Sequence, residues 1–260
     1  MELAFDQMLG TLLALWWPFC RVMATMSAAP MVGEAMVPVS VRVLLSLALA
    51  VVLLPVAQPP EVISPFSLRG IVVTGEQALI GLLIGLAFHL AIAAIMLLGY
   101  MVSSQMGLAM AQMNDPMNGS SSDVVSAILY VLAVLVFFAV DGHLVVTGVL
   151  GASFRAWPVG SGVSALALQT LPLQVAWVFS AALLLAIPVI FSSLVVQVGF
   201  GFLNRIAPAL NLFSLGFSLV TLFGLFMLMQ MVRFLPDGYL SMTRRTLDML
   251  EQLMKAAPHG

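Results

Sequence analysis

QALIGLLIGLAFHLAIAAIMLLGYMVSSQMGLAMAQMN, Gln77 to Asn114, contains no acidic or basic residue, and only His89 in it can titrate near neutral pH. About 20 mostly apolar residues suffice for a helix to cross the hydrocarbon core of a bilayer. Rising about 1.5 Å per residue, this run held as one helix is longer than that core. It lacks the alternation of polar and apolar positions that a spanning β-barrel requires. Its reading as helix decides the fold class: all-α and membrane-associated.

The rest of the chain has the same character. Of its 260 residues, 62% are hydrophobic and 8% charged, against about a quarter charged in a soluble domain. Such a surface has to face lipid or other apolar protein. The net charge of −2, with no basic patch interleaved with aromatics, gives no case for nucleic acid. One cysteine, Cys20, leaves no intrachain disulfide to form. Glu2 and Asp6 precede the first apolar run with no Lys or Arg, unlike the basic start of a secretory leader. That run is therefore expected to stay in the mature protein.

The other apolar runs are Thr11 to Ala29, with Pro18 and Arg21 inside it, Val43 to Ala57 after Arg42, Val124 to Val140, Val175 to Asn204 with Pro188 inside it, and Ile206 to Val232. Together they predict about six long helices, broken or kinked by proline and glycine. Broken helices at membrane depth persist only where protein or a water-filled cavity covers the freed backbone groups. That favours a packed subunit of something larger over a lipid-bathed bundle. From Arg233 the charges return, and Leu247, Leu250, Met254 and Ala257 share one face, which predicts an amphipathic helix. With four of the nine basic residues in this tail, the positive-inside rule specifies topology only weakly.

Few residues invite a chemical reading. Gly81 and Gly85 form a GxxxG pair, which lets helices approach closely, either for ordinary packing or as a hinge. Glu76 lies beside it; a charge at the centre of an apolar helix costs roughly 2.5–3.5 kcal/mol. It has two readings: a helix start, where the dipole favours it, or a partner for an arginine of another subunit. Asp141-Gly142-His143 reads as a turn with a capping Asp and an interfacial His, or as part of a proton relay with Glu76. Glu34, Arg42 and Arg205 complete the candidates for buried or inter-subunit charge. No HExxH, GxSxG or phosphate loop occurs, and no His, Cys, Asp and Glu cluster has metal-ligand spacing. Neither an enzyme nor a cofactor is expected.

The end of the opening run is distinctive. Met106, Met110, Met113 and Met117 follow helical spacing, and the helix is expected to continue until Asp115-Pro116 breaks it. Asn118-Gly119 and three serines then read as a loop. Methionine is soft and adapts to irregular surfaces, so the stripe either faces a neighbour or lies across an aqueous passage and closes it. Gln105-x-Gly107 stands ahead of Pro116 as Gln197-x-Gly199 stands ahead of Pro208, as though two long helices ended alike.

Ordered along the chain, a set of short motifs resembles the FliR/SctT family of type III secretion export-gate proteins. They are Ala29-Pro30 with Val37-Pro38 and Val41-Arg42, the GEQALIG segment with Glu76, QMGLA before Asp115-Pro116, Asp141-Gly142-His143, Ser153-Phe154 before Pro158, and NRIAPALNLFSLGF from Asn204 to Phe217. The resemblance covers essentially the whole chain, and its length and its DGH and RIAP segments lean to the flagellar branch. It implies a structural and gating subunit of a protein-export channel, in the bacterial inner membrane at the flagellar basal body. FliP and FliQ would be its neighbours, with FlhB on the cytoplasmic side and unfolded proteins as cargo. It implies a FliP-like part at 1–174, a FliQ-like hairpin at 175–232 with its tip at Arg205 to Pro208, and the amphipathic helix at 233–260. It also implies a plug loop at 106–122, in which Met106, Met110, Met113, Asp115, Pro116, Met117, Asn118 and Gly119 would gate the channel. The rival reading is a stand-alone proton-coupled transporter using Glu76, Asp141 and His143.

Overall fold

The computed structural model describes residues 2–30, 32–33, 37–58, 63–108, 123–163, 165–206 and 212–256. Among them are eight helices: α1 (Glu2–Ala28), α2 (Val39–Leu53), α3 (Leu68–Gln105), α4 (Val124–Ala139), α5 (Gly142–Ala156), α6 (Ala165–Ile206), α7 (Leu212–Val232) and α8 (Leu235–Lys255). The all-helical class expected from the apolar runs is what the chain adopts. Residues 68–105 and 168–206 each form a helix long and apolar enough to cross a membrane, and α4 with α5, and α7 with α8, reach that length only as broken pairs. At 15 residues, α2 is too short to cross alone.

The helices divide into two compact units. The first comprises residues 1–90, 137–175 and 243–260. Its core gathers Trp17, Val22, Ile80, Ile84, Leu150, Phe154 and Leu250. The glycine pair of α3 lies against α1 of the same chain. A Cβ on Gly81 would stand 2.2 Å from the Arg21 carbonyl oxygen, and one on Gly85 would stand 2.6 Å from that of Thr25. Because the backbones are this close, the Thr25 hydroxyl stands within reach of two carbonyls, those of Arg21 at 2.9 Å and Gly81 at 3.0 Å, and shares its one proton between them.

The break before α5 differs in mechanism from the expected capping turn. Asp141 itself takes the left-handed conformation, φ 55°, and its side chain makes no capping hydrogen bond. Its carbonyl oxygen accepts instead from the Leu144 N–H at 2.9 Å. Gly142 is needed for space, because a Cβ there would sit 2.3 Å from the Phe137 ring. Helix α5, short and interrupted by glycines, had no separate place in the sequence reading.

The second unit comprises residues 91–136 and 176–242. One expectation is corrected here. The apolar run from Gln77 does not continue as a single helix to its end: α3 stops at Gln105, and Met110, Met113, Asp115, Pro116 and Met117 lie outside the described residues. Gly107 takes φ 76°, the Leu108 N–H bonds to the Ser103 carbonyl and the Gly107 N–H to that of Ser104, both at 3.1 Å. This is the Schellman ending, in which a left-handed glycine lets the chain turn back on the last carbonyls. The stretch from Gln197 to Pro208 does close a long helix: α6 runs for 42 residues from Ala165 through Pro172 and Pro188 and ends at Ile206, two residues before Pro208. Proline removes one N–H from the ladder, and at Pro188 the Ser192 hydroxyl donates back to the ring residue's carbonyl at 2.6 Å.

Candidate functional site

The site positions divide between the units. In the second unit, the described residues on either side of segment 109–122 form a dense polar knot. Asp123 precedes α4 and is 6% exposed. One of its carboxylate oxygens accepts from the Ser103 hydroxyl, in the last turn of α3. The other accepts from the Ser126 N–H at 2.8 Å and from the Ser126 hydroxyl at 2.9 Å. Asp123 is thus the N-cap of α4, bonding the orphan amide three residues on. Gly99 permits the approach, since a Cβ there would stand 2.5 Å from the Ser126 Cα.

The end of α3 is held a second way. Met106 is 1% exposed. Its side chain lies over Gly224 of α7, where a Cβ would come within 2.3 Å of the Met106 Cγ. Its carbonyl oxygen accepts from the Thr221 hydroxyl at 3.2 Å, and the Gln197 amide of α6 donates to the Gln105 carbonyl at 3.4 Å. Met106, the first methionine of the expected stripe, is therefore buried and held in place. Met110, Met113, Asp115, Pro116, Met117, Asn118 and Gly119 lie outside the described residues, as does Glu34.

In the first unit, the strongest polar feature is one that the sequence reading passed over. Arg21, inside α1, is completely buried. Its Nε and Nη2 donate to the Gln77 side-chain oxygen at 2.9 and 2.5 Å, Nη1 donates to the Ser153 hydroxyl at 3.0 Å, and Nη2 also reaches the Trp157 carbonyl at 2.8 Å. The guanidinium carbon stands 3.9 Å from the centre of the Phe154 ring. The planar fork suits this set of acceptors together with a ring face, which an ammonium would not. Its neighbouring countercharge is Glu76, whose carboxylate receives the backbone N–H groups of Gly160 and Gly162 and a 3.3 Å bond from the Gln77 amide. Both glycines have positive φ, 85° and 89°, a backbone form in which N–H groups close along the chain can point toward one anion. Glu76 thus holds the turn at 157–162 through Gly160 and Gly162, and Arg21, itself held by Gln77, holds it through the Trp157 carbonyl.

The remaining candidates stand apart. Arg42 is half-buried in α2 and donates to the Val37 carbonyl at 3.1 Å. His143 is exposed, its ring 6.1 Å from that of Phe138. Arg205 is exposed in the last turn of α6. The hydrogen bonds of Glu76 go to Gln77, Gly160 and Gly162, and none joins it to Asp141 or His143 among the described residues. No group of three or more His, Cys, Asp or Glu among those residues has a geometry that holds a metal ion. The missed residues did leave signals: Arg21 is a lone cation in an apolar run, and Asp123 followed by Ser126 has the spacing of a helix N-cap.

Comparison with known proteins agrees along nearly the whole chain. The family model described as bacterial export proteins, family 1, matches residues 12–246. The flagellar biosynthetic protein FliR of Pectobacterium carotovorum subsp. carotovorum is 33% identical over 241 residues, 92% of each chain. That of Escherichia coli (strain K12) is 31% identical over 226 residues, 86% of each chain. The Yop proteins translocation protein T of Yersinia pestis is 28% identical over 161 residues, 61% of each chain.

Proposed function

The chain belongs to the bacterial export proteins, family 1, and from that membership we propose that it is a structural subunit of a type III protein-export channel, of the flagellar branch. On this reading it has no active site. It assembles with FliP and FliQ subunits in the bacterial inner membrane at the flagellar basal body, with FlhB on the cytoplasmic side, and unfolded proteins pass through the channel they enclose. Segment 106–122 contributes the plug that closes the channel between substrates. Met106 is its root, and Met110, Met113 and Met117 are the soft side chains that adapt to subunits or cargo. Residues 175–232 form the FliQ-like hairpin, which packs against the next subunit in the assembly.

The observation that carries this reading is the outward face of α6 in the second unit. Leu184 is 68% exposed, Phe202 64% and Ile206 80%, with Phe191, Leu194 and Val195 also exposed between them. Apolar faces of this extent mark contact with protein or membrane. Lipid alone does not account for the rest of the chain. The short α2, which cannot cross a bilayer alone, and the breaks beside Asp141 and after Val232 suit a chain packed among other subunits better than one bathed in lipid. No specific observation favours the proton-coupled transporter, since its three residues form no relay.

Expression with and without FliP and FliQ tests the proposal. Produced alone, the chain is expected to be degraded or to aggregate, and co-production restores it to the membrane. A chain that accumulates alone and transports solute in vesicles overturns the proposal.

A further inference from the structure

We propose that the outward seam of α3 in the first unit docks one apolar helix of another export subunit, which comes closest at Gly75 and hydrogen-bonds to His89. This deepens the export-subunit reading and rests on it. Val72, Gly75, Leu79, Leu82, Leu86 and His89 succeed one another at intervals of three and four along the helix. Val72, Gly75, Leu82 and Leu86 are exposed, and Leu79 and His89 are half-buried. The pattern repeats every seven residues: Gly75, Leu82 and His89 hold one heptad position, and Val72, Leu79 and Leu86 the other. That is the period at which two helices stay in contact side by side, crossing at about 20°. At 1.5 Å per residue the seam is roughly 26 Å long, most of the depth of a hydrocarbon core.

The inward face of α3 shows how such a seam is covered. There Gly81 and Gly85 let the α1 backbone approach, and the polar Gln77 is bonded by Arg21. The outward seam carries the same two features without a partner for either. A Cβ on Gly75 would meet nothing within 4 Å, although glycine inside a helix is less stable than alanine. His89 makes no hydrogen bond, ion pair or ring contact among the described residues. Lipid tails would leave a gap at Gly75 and an unbonded imidazole in a helix apolar enough to cross a membrane. A partner helix uses both, since small residues and interhelical hydrogen bonds are what hold packed membrane helices together. Charge defines the occupant further. The seam carries no acidic or basic side chain except His89, and Glu76 beside it is bonded to Gly160 and Gly162. The facing side of the partner is therefore uncharged, with one hydrogen-bonding group opposite His89. A lone polar residue of this kind sets the register of a heptad seam.

The test is photo-cross-linking inside the complete export complex, purified and placed in lipid nanodiscs. Benzoylphenylalanine replaces Leu79, Leu82 or Leu86 in turn, and mass spectrometry locates the adducts. They are expected on one helix of another subunit, those from Leu79 and Leu86 about seven residues apart along it. Adducts on lipid alone, on a second copy of this chain or on scattered elements overturn the proposal. Release of the partner subunit on dilution of the complex in detergent is the second measurement. His89→Leu is expected to release it about threefold faster, the usual worth of one interhelical hydrogen bond, and His89→Gln at nearly the wild-type rate. Gly75→Leu, whose added atoms have open space within this chain, is expected to release it fastest. If Gly75→Leu and His89→Leu both hold the partner as wild type does, the docking face is overturned, even where a cross-linker variant fails to assemble. If the wild-type chain forms no complex with other subunits, the export-subunit reading falls and the docking face with it. An intact complex whose seam labels only lipid removes the docking face alone.

Discussion

Arg21→Ala is expected to destabilise the first unit by about 3–5 kcal/mol, the usual cost of removing one member of a buried charged network. The substitution removes the donor from Gln77, Ser153 and the Trp157 carbonyl at once, and none of the three is near water. It leaves Glu76 without its neighbouring positive charge. It also empties a guanidinium-sized volume between α1, α3 and α5. Against a typical folding free energy of about 5–15 kcal/mol, most of the chain is expected to be lost from the membrane and motility with it. Arg21→Lys is expected to rescue poorly, since one ammonium cannot serve those acceptors while lying flat on Phe154. Arg21→Leu combined with Gln77→Leu is expected to be milder than Arg21→Leu alone, because both polar partners leave together. Chain levels in membranes and the thermal transition of the purified complex, read by the buried Trp17 and Trp157, check all four variants.

Deletion of 109–118 produces the opposite failure. Met106, Gly107 and Leu108 are spared, so the Schellman ending of α3 and the seat over Gly224 remain. The complex is therefore expected to assemble in normal amounts. Closure of the passage is what disappears. On the plug reading, the soft side chains Met110, Met113 and Met117 fill the lumen by adaptable contacts, without charge pairing, so that a moving substrate displaces them easily. Without them, cells carrying the assembled complex are expected to become permeable to ions and small solutes. Growth sensitivity to salt and dye uptake measure this. Unchanged permeability at normal complex levels counts against the plug.

Much of the fold was legible because apolar runs in so sparsely charged a chain leave few alternatives to helix. The helix ends were less so. Segments Thr11 to Ala29, Val124 to Val140 and Ile206 to Val232 correspond to α1, α4 and α7 within several residues at most ends, though α1 extends back to Glu2. Glycine was misread in part. Gly107 was overlooked as a terminator because the methionines beyond it kept helical spacing, yet it is a left-handed glycine that bonds back to the helix end. Gly142 marked a turn that is present, but the positive φ belongs to Asp141 and the glycine makes room for the Phe137 ring. The start of the run set at Val175 was late as well: α6 begins at Ala165 and passes through Pro172.

The polar residues were harder to rank. Glu76 stood out as a charge beside an apolar run, and the structure gives it a role in holding the turn at 157–162. Arg21 carried the same signal and the larger network, but its partners lie 56 to 136 positions away along the chain. No local pattern points to them. Ser103 and Asp123 are 20 residues apart, and their link appears only once α3 and α4 are placed side by side. Residues whose roles depend on long-range packing are therefore the ones that a single sequence conceals.

The central claim is that the apolar faces left open on this chain are covered by other subunits. Weighing the particle that carries a tagged chain out of the membrane in mild detergent tests it most directly. The account predicts one hetero-oligomeric species, several times heavier than the 27.7 kDa chain after correction for detergent, with other export proteins in fixed ratio. A homogeneous, stable particle of a single 27.7 kDa chain contradicts it.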